Sequence, residues 1–360
     1  MSKEEHRKII ERMVAARSGA GEASTPRKPK PEVETKLTPT GGKEYPEGHQ
    51  KFSEVFGFKP PSGVDHAVRV FEREDWPEDL QAFIPAVDDG HVWAKKETEV
   101  FVAGLMSNDK TLLHGPKGSG KSSLPTQVCA RLNIPMMRVN GRADMESSAL
   151  FGQPTVEEGT LKWVPGPAEV LGKGGGLLLV DEISAIPAGI SMAMQWMLEE
   201  NGKIFLPDKP SDAGEKFVEP HDWFRVVATD NTELQGDTNG RYVGAQVQNE
   251  ALVDRFSTTI KVDYLAKAHE IGILTKRVEE LPESIAEAMV DFAGMVRTSY
   301  NQDEIQSTLS PRGLVNWAKK TVYWGDPVLA LKIAFFDKLT EDDQKVVNKA
   351  VKRVFNKEFK

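Results

Sequence analysis

The chain reads as an α/β protein: a five-stranded parallel sheet with helices on both faces, followed by an all-helical C-terminal region. Three observations predict this. Between about residues 110 and 265, short apolar runs alternate with helix-compatible segments, the pattern of consecutive βαβ units. One of those runs, Leu177-Leu178-Leu179-Val180, is apolar throughout, as a strand covered on both faces requires. From about residue 266 onward only helical patterns remain.

Taken in order, residues 1–17 suggest a short helix with Ile9, Ile10, Met13 and Val14 on one side, too short to be stable alone. Residues 18–50 are rich in Gly, Pro, Ser, Thr, Lys and Glu and cannot bury enough surface to offset their ordering entropy. Residues 1–50 are therefore expected to be a disordered tether carrying that helix. Arg27, Lys28 and Lys30 within it fit either a nucleic-acid contact or a solvated linker. Residues 51–105 form a lead-in, with an apolar cluster of Phe52, Val55, Phe56 and Phe58 and a helix over 92–105. Residues 106–265 carry the α/β domain, with strands expected at 111–114, 136–140, 177–180, 224–229 and 258–262. Residues 266–360 form the helical domain, with helices expected at 267–279, 283–299, 311–323, 326–336 and 341–355.

Composition narrows the function. The 360 residues suffice for one large or two medium domains. The 46 Lys+Arg against 54 Asp+Glu give a net charge of −8, which argues against a dedicated nucleic-acid binder while leaving room for a local basic channel. Cys129 is the sole cysteine, so an internal disulfide framework and a cysteine-rich zinc site are excluded. The seven histidines show no tight metal-ligand spacing. No apolar run approaches a membrane span and no signal peptide is evident, so a cytoplasmic protein with no membrane partner is expected.

The chemistry centres on Gly115-Pro116-Lys117-Gly118-Ser119-Gly120-Lys121-Ser122, which fits G-x-x-x-x-G-K-[ST] at every fixed position, between a strand-like run and a helix. Glycines let the backbone curl so that its N–H groups cradle phosphate oxygens, and the following helix adds its positive end. Lys121 can reach the β- and γ-phosphates, Ser122 can offer a hydroxyl to Mg²⁺, and Ser123 completes the cofactor-binding stretch. The acidic pair Asp181-Glu182 ends the apolar strand. Asp181 would hold Mg²⁺ through its water shell, and Glu182 would orient and deprotonate the attacking water. Taken alone, the pair could also be an acidic helix cap.

Three more residues complete the expectation. Asn231, at the tip of the strand ending Ala228-Thr229-Asp230, can help hold the lytic water; a turn-forming Asn is the alternative. Arg255, in Asp254-Arg255-Phe256, can reach a neighbouring subunit's γ-phosphate in a ring, or form a surface ion pair with Asp254. Arg312, in Ser310-Pro311-Arg312-Gly313, falls in a helix's first turn. A cation is poorly placed there against the dipole, which favours an anionic partner such as a nucleotide phosphate over an idle surface arginine.

This order of motifs resembles the AAA+ ATPases, within them the MoxR-like branch, and most closely the CobS-like cobaltochelatase ATPase subunits. The closest stretches are Ala228 to Thr232, the series at 236–244 and Asp254-Arg255-Phe256, with Val55-Phe56-Gly57 in the lead-in also similar. The resemblance spans roughly residues 52–320. It implies an AAA+ α/β domain with a helical lid, an ATP-hydrolysing enzyme using ATP and Mg²⁺, and a homo-oligomer, expected to be a hexameric ring with nucleotide between subunits. It also implies two insertions: one from Ala149 through Pro167, the other a hairpin from Gly202 to Val218, where apolar arms flank a polar turn. Lys117, where many such loops have an uncharged residue, and Pro125, early in the following helix, depart from the pattern without threatening ATP binding. The expected activity is a ring motor that remodels a protein partner, and the resemblance implies a partner type with a von Willebrand factor A domain. Alternatives are the ATPase subunit of a metal chelatase, a nucleic-acid-acting ATPase, and a nucleotide-gated scaffold.

Overall fold

The computed structural model describes residues 46–232 and 250–359. The expectations for the first 45 residues, including Arg27, Lys28 and Lys30, and for the series at 236–244 lie outside that range.

The lead-in folds around aromatic residues. Strand β1 (His49–Lys51), at the junction of tether and lead-in, pairs antiparallel with β2 (Ala67–Arg69). Between them α1 (Phe52–Phe56) ends at Gly57, whose φ of 74° lies in the left-handed region that glycine enters without strain. Phe52 and Phe56 are buried in the same core as the sheet. A short helix α2 (Glu78–Gln81) and the long α3 (Lys95–Ser107) follow. The latter begins three residues later than its sequence pattern suggests.

The α/β unit then proceeds through β3 (Thr111–His114), α4 (Ser123–Leu132) and β4 (Met136–Asn140). Asn133 closes α4 in the left-handed region, which a short polar side chain tolerates. After α5 (Ser148–Phe151), strands β5 (Gly152–Glu157) and β6 (Thr160–Pro165) form an antiparallel hairpin. Its turn residues Glu158 and Gly159 both have positive φ, the two-residue geometry that matches strand twist. Helix α6 (Pro167–Gly174), with proline at its first position, leads into β7 (Gly176–Asp181). Helix α7 (Ala188–Leu198) is followed by a second hairpin of β8 (Ile204–Phe205) and β9 (Phe217–Val218), and then β10 (Phe224–Asp230), α8 (Glu250–Val253) and β11 (Thr258–Lys261). The two insertions thus take the places the resemblance implies.

The main sheet is wholly parallel, in the order β11-β3-β10-β7-β4. Every residue of β7 and β10 is buried, which explains the unbroken apolar run at 177–180. All five strands begin and end within one residue of the positions read from the sequence.

One carboxylate ties the insertions together. Glu169 on α6, 1 % exposed, accepts from Trp163 Nε1 of the first hairpin at 2.5 Å and from Lys209 Nζ of the second at 2.8 Å. Lys173 Nζ donates to it at 2.6 Å. A buried carboxylate persists only with such partners.

The C-terminal region comprises α9 (Lys267–Arg277), α10 (Glu283–Asn301), α11 (Pro311–Trp324), α12 (Pro327–Ala334) and α13 (Glu341–Phe355). Its core is separate from that of the sheet and centres on Trp317, whose ring packs edge-on against Phe292 at 5.4 Å. Ser310, Asp326 and Thr340 cap three of these helices with side-chain oxygens. Among the described residues, no helix is long and apolar enough to cross a membrane.

Candidate nucleotide site

The parallel register gathers the site at one end of the three central strands. Val180 pairs with Ala228, and Leu113 and His114 pair with Thr229 and Asp230. The residues after these three strands therefore emerge together at the carboxyl ends, where open α/β sheets place their ligands.

The loop between β3 and α4 needs its glycines. Gly115 has φ 144°, and a Cβ there would lie 2.2 Å from the Val262 carbonyl oxygen, a backbone atom that cannot yield. Gly118 has φ 78°, and a Cβ there would come within 2.5 Å of Ser310 Cβ at the start of α11. The loop is thus pressed between the strand-β11 exit and the helical region. Lys121 is buried, and its Nζ donates to the Gly115 and Pro116 carbonyls at 2.8 Å each. Burial lowers its pKa to about 8, with the nearby Asp181, Asp230 and Glu182 carboxylates opposing that shift. Two carbonyls leave one N–H of a three-donor ammonium available for an anion. Ser122 immediately precedes α4 and is partly exposed, Ser123 Oγ donates to the Gly120 carbonyl at 3.0 Å, and Lys117 is exposed. Ser119 Oγ is buried with no partner among the described residues. Curled backbone, buried ammonium and free hydroxyl match the donor set that polyphosphate requires.

The acidic pair is held by residues the sequence reading did not single out. Asp181 Oδ1 accepts from the Thr229 hydroxyl, and Asp181 Oδ2 is paired with the Arg138 guanidinium. Thr229 Oγ1 also accepts from the Glu182 N–H at 3.2 Å, so one hydroxyl fixes both acidic residues. Glu182 has φ 57° and ψ 52°, an unusual conformation for a side chain without glycine's freedom. It turns the exposed carboxylate out of the strand direction, where Asn231 Nδ2 donates to its Oε1 at 3.3 Å. Thr229 lay within the strand-end stretch already recognised. Its role would have followed from the neighbour relation of β10 and β7, which the linear chain does not display. Arg138 shares a strand face with Asn140, the residue paired with Asp181, and the same missing adjacency hid it.

The two arginines stand apart from this cluster. Arg255 Nη2 is 3.1 Å from Glu199 Oε1, and Nη1 donates to the Ala251 carbonyl. The alternative pairing with Asp254 gives way to Glu199, since α8 packs beside the end of α7. Arg312 is exposed in the first turn of α11 and makes no ion pair among the described residues. The start of that helix nevertheless lies against Gly118 through Ser310.

Two regions of the chain match known protein families. Residues 110–256 match the AAA domain (dynein-related subfamily), and residues 270–357 match the CbbQ/NirQ/NorQ C-terminal domain. The chain is 28% identical over 322 residues to the aerobic cobaltochelatase subunit CobS of Sinorhizobium sp., covering 85% of this chain and 90% of that protein. It is 27% identical over 256 residues to an uncharacterized protein of Staphylococcus haemolyticus, covering 69% and 91% of the two chains. Among solved structures, the Thermotoga maritima RuvB Holliday junction branch migration motor aligns over 76% of this chain and 80% of its own, with a TM-score of 0.47 and 16% identity. With its phosphate loop, its Asp181-Glu182 strand end and both matched regions in sequence, the chain belongs to the AAA+ ATPases, as a MoxR/CobS-like member with a dynein-related AAA domain and a CbbQ/NirQ/NorQ-type C-terminal domain.

Proposed function

We propose that the chain hydrolyses ATP at the interfaces of a homo-oligomeric ring, expected to be hexameric, and uses the cycle to remodel a protein partner. The observation that carries this reading is the cluster in which Thr229 holds both Asp181 and Glu182 while Asn231 holds the Glu182 carboxylate. In it, Gly115 to Ser123 would cradle the phosphates, and Lys121 would neutralise the β- and γ-phosphate oxygens. Ser122 and Asp181 would hold Mg²⁺, which would supply positive charge to offset that of the phosphates. Glu182 takes a proton from the attacking water as that water's oxygen bonds to the γ-phosphorus and the bond to ADP breaks. Asn231 keeps the carboxylate aimed at the water. Arg312 would meet a phosphate from the lid side.

Within one chain Arg255 reaches Glu199 rather than the phosphate loop. This supports its assignment to a neighbour's γ-phosphate, to be taken up on ring assembly at the expense of an exposed pair worth little. The hairpins tied by Glu169, with exposed Val156, Leu161 and Val164, are the surfaces offered to a client, and a von Willebrand factor A domain is one expected partner type. Glu182→Gln with ATP should trap the client-engaged ring. If that variant turns over ATP normally, the assignment of the base is wrong.

A second reading, the motor subunit of a metal chelatase, is favoured by the near full-length similarity to the cobaltochelatase subunit CobS. Mixing the chain with a chelating subunit, cobalt, a tetrapyrrole and ATP tests it, and no metal insertion would reject it. A nucleic-acid-acting motor is less favoured by the net charge of −8. Salt-sensitive stimulation of turnover by DNA would revive it.

A further inference from the structure

The segment joining sheet to helical region runs alongside the phosphate loop. Val262 abuts Gly115, and Tyr264, two residues on, donates its hydroxyl to the Lys117 carbonyl at 3.1 Å. The Tyr264 ring lies under the Arg297 guanidinium, whose central carbon is 4.0 Å from the ring centroid. Arg297 on α10 is buried. Its Nη1 pairs with the buried Glu270 of α9 at 2.8 Å, and its Nε donates to the Leu309 carbonyl at 2.9 Å. Leu309 precedes Ser310, which packs on Gly118. The loop's outer turn is therefore touched from two sides, at Lys117 and at Gly118, and both contacts trace back to one guanidinium.

Core packing alone does not account for this arrangement. A phenylalanine would fill the Tyr264 site equally well, whereas the hydroxyl donates to a loop carbonyl, with Thr308 as its other polar neighbour. Burial raises the pKa of the Tyr264 phenol, so it remains a donor throughout the neutral range. A buried Arg–Glu pair is also seldom a net gain in stability over apolar packing, whereas planar stacking plus two directed bonds fixes orientation.

We propose that Tyr264 and Arg297 are positioning residues that make the conformation of the phosphate loop and the placement of the helical region one coupled variable. A nucleotide that orders the loop at Lys117 and Gly118 would thereby dock α9, and by reciprocity docking of α9 would tighten nucleotide binding. This rests on the assignment of the loop as the nucleotide site.

The test compares the unaltered chain with Tyr264→Phe and Arg297→Lys. A fluorescent ADP analogue gives Kd, steady-state assays give kcat and KM, and hydrogen exchange follows the amides of α9 with and without ADP. Tyr264→Phe should lower the nucleotide-free melting temperature by no more than the loss of one hydrogen bond does. It should weaken ADP binding about fivefold, the size of one neutral hydrogen bond, and abolish the ADP-induced protection of α9. Arg297→Lys keeps the charge but loses the planar stack, and should act in the same direction. The double variant should bind no more weakly than Arg297→Lys alone. Unchanged affinity together with unchanged α9 protection in Tyr264→Phe would overturn the relay, even if Arg297→Lys failed to fold. Fully additive losses in the double variant would overturn it as well. No binding of ADP by the unaltered chain would instead overturn the nucleotide-site reading, and the relay with it.

Discussion

The phosphate-loop cluster and the two outlying arginines obey different logics. Lys121 is held by carbonyls of its own loop, while Asp181 and Glu182 find Thr229 and Asn231 at the adjacent strand end. Arg255 and Arg312 are held loosely or not at all, at an exposed ion pair and an exposed helix start. Groups that must be preorganised for chemistry are fixed within one chain, because fixed dipoles then cost no reorganisation when charge develops. Under the proposed ring, an arginine that serves a neighbour's phosphate has only an exposed ion pair to exchange.

The largest test of that contrast is Arg255→Ala. If the arginine serves a neighbouring site, turnover should drop by about 10³-fold or more, while ADP affinity and melting temperature of the isolated chain stay put. Turnover of the unaltered chain should also rise with protein concentration, and a concentration-independent rate would erase the distinction between inner and outer groups. Next in size, Glu182→Gln should cut turnover by about 10²–10⁴-fold while retaining nucleotide, as read by a bound-ATP assay. Lys121→Ala should weaken nucleotide binding by about 10²-fold, from loss of charge-assisted contacts. Because its ammonium is buried at some cost, the nucleotide-free chain should be no less stable for the change. Thr229→Val keeps the shape but removes the hydroxyl shared by Asp181 and Glu182. A loss of about tenfold in turnover is expected, and an unchanged rate would mean the pair needs no such tether.

The smallest effect is on pH. Burial holds Lys121 near 8 in the folded chain, against an ordinary 10.5. Between those values the unfolded chain binds the extra proton, so nucleotide-free stability should rise with pH across that window. Bound phosphate favours the charged form, so binding takes up a proton above pH 8. Affinity should then decline by up to about tenfold per unit as pH rises further. Lys121→Arg, charged throughout, should flatten the profile in ADP titrations, and a flat profile in the unaltered chain would place the lysine elsewhere.

Much of this site could be read from the linear chain because its parts are local. The phosphate loop is a contiguous run whose glycines answer to backbone torsions, and β7 announces itself by burial on both faces. The paired arms of the second insertion could be read for the same reason: alternation and turn chemistry are short-range. Arg138, Tyr264 and Arg297 carried no such signal. Each is an ordinary residue in an ordinary element, and each gains its role from a neighbour 43, 147 or 27 positions away: Asp181, Lys117 and Glu270.

By itself the amino-acid order determined the five parallel strands, the C-terminal helices, the identity of the phosphate loop and the acidic strand end, since these follow from periodicity and from residue types that few backbone geometries accept. Only the tertiary structure decided which strand ends meet. It set β10 between β3 and β7, making Thr229 the common partner of Asp181 and Glu182. It also turned Arg255 onto Glu199 and brought Tyr264 and Ser310 against the loop. The physical reason is that strand order and helix docking are settled by the summed burial of whole faces, a quantity that no single stretch of sequence contains.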